Sequence, residues 1–173
     1  MGKISVEAFL KQYSVAAKQK GSAMEDFMKK HIITDYIDYL TKNTMCTNIV
    51  TATTRIKNGD RTILRIDSSA QFMLFIMNLI NSYTDIEIEF KDTKFVKQYD
   101  ALNKVGAIDD IVQAIPEKEY TEFTTLLNMK MDDFRDNEYS ITALLYNLKE
   151  SFSILEEVIK KAIEEIQEQA KED

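Results

Sequence analysis

The sequence predicts an all-α (mainly helical) single domain over residues 1–173, with one minor β-hairpin and a long C-terminal helix over about residues 140–170. Gly and Pro, which interrupt helices, occur only four times and once. Apolar residues recur at intervals of three and four along most of the chain, which is the helical pattern. Asn58-Gly59, flanked by β-branched residues, is the one clear hairpin signal.

The first two helices are marked by their ends. Ser5 is suited to cap the first helix, and Gly21 is suited to end it. Ser22 followed by Glu25 matches a capping box and predicts the start of the second helix. A third helical stretch begins near Tyr36, but the helix prediction weakens after residue 43 because the segment from 41 to 54 contains six Thr residues.

The segment after the hairpin predicts a central helix over residues 70–83, capped by Asp67, Ser68 or Ser69. Its apolar residues cover nearly every side, as in a helix that is packed on all faces. The side chains expected to be among the least exposed are Phe72, Leu74, Phe75, Ile76, Leu79 and Ile80.

Residues 86–90 alternate apolar and acidic, which is consistent with a short strand or with a loop that fills the core. Two helices follow, separated by Gly106 at a helix C-terminus. Pro116 is suited to the first turn of the next helix, which is expected to run to about Arg135. Asp136-Asn137 is the predicted turn into the final helix.

The final helix carries the most specific pattern in the chain. Its apolar seam has the spacing 4, 3, 4, 3, 4, 3, 4, which is typical of a helix that packs along its length against another helix. The seam residues are Ile141, Leu145, Leu148, Phe152, Leu155, Ile159, Ala162 and Ile166. A compact core covers about 30–38 Å of helix, or 20–25 residues at 1.5 Å each. The later positions are therefore expected to contact another protein, which gives the candidate interaction residues Leu155, Ile159, Ile163 and Ile166.

Charge and composition restrict the classes of partner. Residues 1–66 hold 11 Lys and Arg against 6 Asp and Glu, whereas residues 67–173 hold 11 against 23. An acidic chain without a basic cluster argues against direct nucleic-acid binding, and no apolar run is long enough to span a membrane. The single cysteine and the absence of a signal segment predict a cytoplasmic protein. We expect protein partners, with self-association through the C-terminal helix as one possibility.

No arrangement of residues predicts a reaction, so the sequence favours a protein that is not an enzyme and has no cofactor or metal. His31 is the only histidine and is expected at a helix end, while Cys46 is expected to be a buried small side chain. The acidic clusters lack the partners of known metal sites and are interpreted as solvated helix faces.

The many Met and Phe residues are expected mainly to pack in the core. If part of one stripe were left exposed, it would form a peptide-binding groove. That stripe consists of Phe123, Leu127, Met131 and Phe134.

Three stretches, residues 29–37, 83–88 and 115–120, resemble a group of acidic, mostly helical proteins encoded among the head and tail genes of tailed phages and prophages of Gram-positive bacteria. The resemblance implies a virion-module role, such as that of a tail-assembly chaperone, in the host cytoplasm. It carries no catalytic or binding motif and therefore assigns no site residue.

Two functional hypotheses follow. The first is a non-enzymatic interaction protein that assembles or chaperones other proteins, based on the long heptad helix, the charge asymmetry and the missing catalytic residues. The second is an inhibitory, anti-defence protein that presents an acidic, nucleic-acid-mimicking surface, based on the balance of −12 after residue 66.

Overall fold

The structure is a computed structural model, which describes residues 2–19, 22–58, 61–140, 144–145, 148–149 and 151–161. The predicted fold class, a mainly helical single domain, is confirmed. Within it, two compact units are distinguished, Met1–Lys130 and Met131–Asp173.

The first unit contains most of the helices and all of the strands described. The helices in chain order are α1 (Val6–Ala16), α2 (Ala23–His31), α3 (Tyr39–Thr54), α4 (Ser68–Tyr83), α5 (Asp92–Lys104), α6 (Ala107–Ala114) and α7 (Glu117–Phe134), the last of which continues into the second unit. The strands are β1 (Ile4–Ser5), β2 (Arg55–Asn58), β3 (Arg61–Leu64) and β4 (Ile86–Glu87).

Local capping chemistry explains several of the helix starts. The Ser5 hydroxyl accepts the Ala8 N–H, as predicted, and the Asp67 carboxylate, one of the three candidate caps, accepts the Ala70 N–H at 2.9 Å. Ser22 precedes α2 but makes no side-chain cap; its hydroxyl donates to Asp26 instead, so the predicted capping box is wrong.

The third helix is longer than its sequence suggested. It begins after Asp38, whose carboxylate accepts the Thr41 N–H, and continues through the Thr-rich stretch to Thr54. Buried Thr53 and Thr54 turn their hydroxyls back onto the carbonyls of Ile49 and Val50. These intrahelical hydrogen bonds satisfy the hydroxyls, and tertiary packing outweighs the weak helix propensity of Thr.

The hairpin is confirmed, with a register one residue away from the prediction. Strands β2 and β3 pair antiparallel, and Asn58 is paired with Arg61. Asn58 therefore belongs to the strand, and the two residues between the strands are Gly59 and Asp60, which lie outside the described residues.

Helix α4 lies in the core, but not on all faces. Phe75, Ile76, Leu79 and Ile80 are buried as predicted, and Met77 is fully buried as well. Phe75 contacts the rings of Tyr120 and Phe123 on α7. Leu74 is only partly buried, and Phe72 is 56% exposed, so their placement among the least exposed residues was wrong.

A second, parallel strand pair joins distant parts of the chain. Strand β4, in the stretch that the sequence left open between strand and loop, pairs with β1 in the register Ile4 with Ile86. The residues just before β4 are hydrogen-bonded to the end of α2. The Ile33 N–H donates to the Tyr83 carbonyl, and the Asp85 N–H donates to the His31 carbonyl. No local pattern in the sequence predicts this long-range pairing.

Gly106 has the predicted role at a helix end. Its φ of 77° lies in the left-handed region, which glycine adopts without strain. It follows α5 and allows the chain to enter α6 directly.

In the second unit, α7 ends in a π-helical turn over Arg135–Tyr139 rather than in the predicted turn at Asp136-Asn137. Ser140 has extended backbone (φ −69°, ψ 153°), and its carbonyl accepts the Leu144 N–H at 3.0 Å. The predicted long C-terminal helix follows, with helical backbone at 144–145, 148–149 and 151–161.

Candidate protein-interaction surface

The C-terminal helix presents its apolar seam to solvent. We call the described seam residues Leu145, Leu148, Phe152, Leu155 and Ile159 the exposed seam. Their exposed fractions run from 50% at Ile159 to 67% at Phe152. Leu144 and Val158, which widen the seam on one side, are 48% and 57% exposed. Every residue described in this helix is exposed.

Such a surface is costly for a protein that is alone in water. Full burial of a Leu, Ile or Phe side chain gains about 1.5–3 kcal/mol. Because the five side chains are at least half exposed, covering them with a partner would gain about 5 kcal/mol of burial free energy. Contiguous apolar patches of this kind mark interaction sites on soluble proteins.

The predicted interaction residues are only partly within the described chain. Leu155 and Ile159 are on the C-terminal helix and are 53% and 50% exposed, so both are accessible to a partner. Ile163 and Ile166 lie outside the described residues, as do Ile141 and Ala162 of the predicted seam.

The alternative peptide groove on α7 is not present. Phe123, Leu127, Met131 and Phe134 are all buried, with exposed fractions of 8% or less. The stripe is therefore core, in agreement with the expectation that most of these residues pack inside.

The structure also brings together a buried polar network that sequence reasoning missed. Lys42, which is fully buried, places its Nζ 2.8 Å from Glu119 Oε2 and 2.7 Å from Glu122 Oε2. Glu119 also accepts hydrogen bonds from the Tyr83 hydroxyl at 2.7 Å and from the Ile37 N–H at 3.0 Å.

The pKa values in this network follow from its pairing. Burial alone would raise the pKa of the Glu119 carboxyl, but the hydrogen bonds from Lys42, Tyr83 and Ile37 hold that pKa below its ordinary value. Burial likewise acts to lower the pKa of Lys42, and the hydrogen bonds to the two carboxylates raise it instead. Burial and the bond to Glu119 raise the pKa of the Tyr83 hydroxyl. Each group is thereby held in its ordinary charge state, which is the pattern of a structural ion pair.

His31 is a core residue at the end of α2. Its Nδ1 is 2.8 Å from Asp85 Oδ1, and its ring packs against Phe9 and Phe27. Its Nε2 is buried without a hydrogen-bond partner. The expected helix-end position is correct, but burial beside Asp85 was not foreseen.

Cys46 is fully buried, as expected, and its thiol donates to the Phe123 carbonyl at 3.8 Å. Burial raises the pKa of the thiol to about 11, so the nucleophilic thiolate is scarce near neutral pH. Among the described residues, no group of three or more His, Cys, Asp or Glu is placed to hold a metal ion.

An open groove of about 610 Å³ lies beside α2 and α6. Met24, Met28 and Ile32 form its apolar side, and Asp110 and Gln113 are among its polar residues. The Asp110 carboxylate is already occupied by the Tyr13 hydroxyl at 2.6 Å, a bond that contributes with burial to raising the pKa of Tyr13 to about 12. Glu25 and Lys29, which also line the groove, pair with each other at 2.7 Å.

The three stretches that carry the phage resemblance meet in one buried junction of the first unit. His31 bonds Asp85, while Glu119 bonds both Tyr83 and the backbone of Ile37. Each stretch thus contributes buried side chains to the core, whereas Ile33 and Tyr36 of the first stretch are 49% and 62% exposed.

Within the part of the chain that the structure describes, no helix combines the length and apolarity needed to cross a bilayer. No protein-family model, curated protein or solved structure significantly matches this chain.

Proposed function

We propose that this chain is a non-enzymatic protein-interaction protein that uses its C-terminal helix to bind another protein molecule. The observation that carries the proposal is the exposed seam, five large apolar side chains in heptad spacing, each at least half exposed. The polar networks of the first unit support the same class of function, because their charged groups are paired with one another rather than directed into a cleft.

The spacing of the exposed seam specifies the kind of partner. Residues repeating every three and four positions form a stripe that fits another helix or a helix-binding groove. A flat or strongly polar surface would not bury Phe152 and Leu155 together. We therefore expect the partner to contribute an apolar helical surface.

Within this class, we propose an assembly role in a tailed-phage head or tail module, as a chaperone-like protein acting in the host cytoplasm. The support for this narrower role is the sequence resemblance of residues 29–37, 83–88 and 115–120. A component that collects other proteins during assembly needs an accessible binding helix, which the exposed seam provides.

The test is a double substitution in the exposed seam, Leu155→Glu with Ile159→Glu. Burying two carboxylates in an apolar interface costs several kcal/mol, at roughly 2 or more each, so association should be lost while the first unit stays folded. The control is Ser153→Glu with Lys160→Gln, which changes the net charge by the same −2 at exposed positions outside the seam.

Light scattering gives the mass of each purified protein, and a pull-down from the native host reports other partners. We expect association by the wild type and the control, and none by the seam variant. If the wild type is a monomer that captures nothing, or if the seam variant unfolds as a whole, the seam is internal core and the proposal is wrong.

A further inference from the structure

We infer that the exposed seam binds the exposed seam of a second copy of this chain, in antiparallel orientation. This inference rests on the proposed function and names the partner. Its support is that the C-terminal helix is complementary to itself, both in the spacing of its apolar residues and in the placement of two charges.

The seam has the same spacing when it is read in either direction. In an antiparallel pair whose centre lies between Ser153 and Ile154, Phe152 faces Leu155 of the second copy. In the same register Leu148 faces Ile159 of the second copy, and the reciprocal contacts follow from the two-fold symmetry. Four of the five residues of the exposed seam thus face one another in the part of the helix that the structure describes.

The charges beside the seam favour the same register. Lys149 and Glu156 follow the seam residues Leu148 and Leu155, and both side chains are exposed. In the antiparallel register each Lys149 lies beside Glu156 of the second copy, so the symmetric pair forms two ion pairs. A parallel alignment instead places Lys149 beside Leu144 and Glu156 beside Ser151, and forms neither ion pair.

The length of the helix is adequate for such a pair. The stretch from 144 to 161 is about 27 Å long at 1.5 Å per residue, and the full seam from 141 to 166 spans nearly four heptads. A heptad pattern sustained over three to four repeats, with charges beside the seam, is typical of a coiled coil. The second copy therefore covers the exposed apolar side chains without a contribution from any other protein.

The first experiment exchanges the two charges. Lys149→Glu alone places Glu beside Glu, and Glu156→Lys alone places Lys beside Lys, so each variant should dimerise on the order of tenfold more weakly than the wild type at low salt. In a mixture of the two variants, the heterodimer again has both opposite-charge contacts. The homodimer of the double variant Lys149→Glu/Glu156→Lys also has both contacts, with the charges exchanged. Sedimentation over a concentration series measures each dimerisation constant against twice the chain mass of 20.0 kDa.

The second experiment determines the orientation. A spin label on Lys161→Cys is selective, because the native Cys46 thiol is fully buried. In the antiparallel pair the two labels are separated by about 22 Å along the helix axis, since position 161 lies opposite position 146 of the second copy. In a parallel pair they have no axial separation.

The inference predicts a dimer, rescue in the mixture of charge variants, and the long label distance. A dimer with the short distance, or with charge variants that behave like the wild type, overturns the antiparallel register. A monomeric wild type overturns self-association altogether. If that monomer still captures another protein and the seam variant does not, the proposed interaction function survives without this inference.

Discussion

Replacing Lys42 by Met should destabilise the first unit strongly, because it removes the cation from a buried network while leaving the carboxylates in place. The Lys42 ammonium is fully buried and lies within 2.8 Å of both Glu119 and Glu122. Glu119 is only 3% exposed and would retain two hydrogen-bond donors, Tyr83 and the Ile37 N–H. Removing one partner of a buried ion pair costs about 3–5 kcal/mol, a large part of a typical stability of 5–15 kcal/mol.

The cost should depend on pH in a direction set by Glu119. In the wild type its pKa is lowered on folding, so the stability it contributes is present above the ordinary carboxyl pKa and is lost as the pH falls through its folded value. Without Lys42, only the hydrogen bonds from Tyr83 and the Ile37 N–H oppose the effect of burial, so the pKa of Glu119 should rise relative to the wild type. The carboxyl then takes up a proton more readily, so the difference in stability between wild type and Lys42→Met should be largest near pH 7 and should shrink towards pH 3.

Urea unfolding followed by circular dichroism at several pH values measures this difference. Lys29→Met is the control, since Lys29 pairs with Glu25 on an exposed helix face and its loss should change stability little. Adding Glu119→Gln to Lys42→Met should recover much of the loss, because the Gln carbonyl can still accept from Tyr83. A loss for Lys42→Met below about 1 kcal/mol, or one that does not vary with pH, would refute the reasoning.

Two paired comparisons test the core and the caps. Phe75→Ala should lower the free energy of unfolding by about 3–5 kcal/mol and should lower the melting temperature markedly. Phe72→Ala, at a 56% exposed position of the same helix, should cost much less. Equal effects of the two substitutions would contradict the observed packing of α4. Asp67→Ala should lower the free energy of unfolding by about 1 kcal/mol, because it removes the hydrogen bond to the Ala70 N–H. Ser22→Ala should be nearly neutral, because Ser22 makes no side-chain cap. The reverse order in denaturant unfolding would show that the caps are misassigned.

Local signals in the sequence identified most of the helices. Ser5 was predictable as a cap, and Asp67 as one of three candidates, because a capping side chain bonds an N–H group only three residues away. Gly106 was recognised because a left-handed residue at a helix end favours glycine. The hairpin was predictable from Asn58-Gly59, because these residues tolerate the positive φ of a tight turn. Its register depends on how the two strands pair, which this dipeptide alone does not determine.

Features that depend on distant residues were not predictable from one sequence. The pairing of Ile4 with Ile86 and the bond of His31 to Asp85 both join segments more than fifty residues apart. The burial of Lys42 was not predictable, because a charged side chain is expected at the surface. Its burial depends on the ion pairs with Glu119 and Glu122 on α7, which compensate for the loss of hydration. Phe72 was misplaced because an apolar residue on a mostly buried helix can still lie on its exposed face.

The interaction role of the C-terminal helix stays a prediction, because a heptad seam is a local, repeated pattern that places apolar residues on one face of a helix without showing what covers them. Leu155 and Ile159 are exposed on the predicted helix, as an interaction element requires. What the seam pattern alone could not supply was the identity of the partner, since that depends on the second surface as well as on the first.

The central claim, that the seam of the C-terminal helix is covered by another protein molecule, is tested most directly by amide hydrogen exchange in peptides from residues 144–161. An isolated helix of this length is marginal in water, so its amides should exchange quickly when the protein is free. Exchange should be measured at high dilution and again in the associated form separated by size. The account predicts that protection of these amides rises on association and that the Leu155→Glu/Ile159→Glu variant never gains it. Equal protection at every concentration and in every separated form would contradict the account.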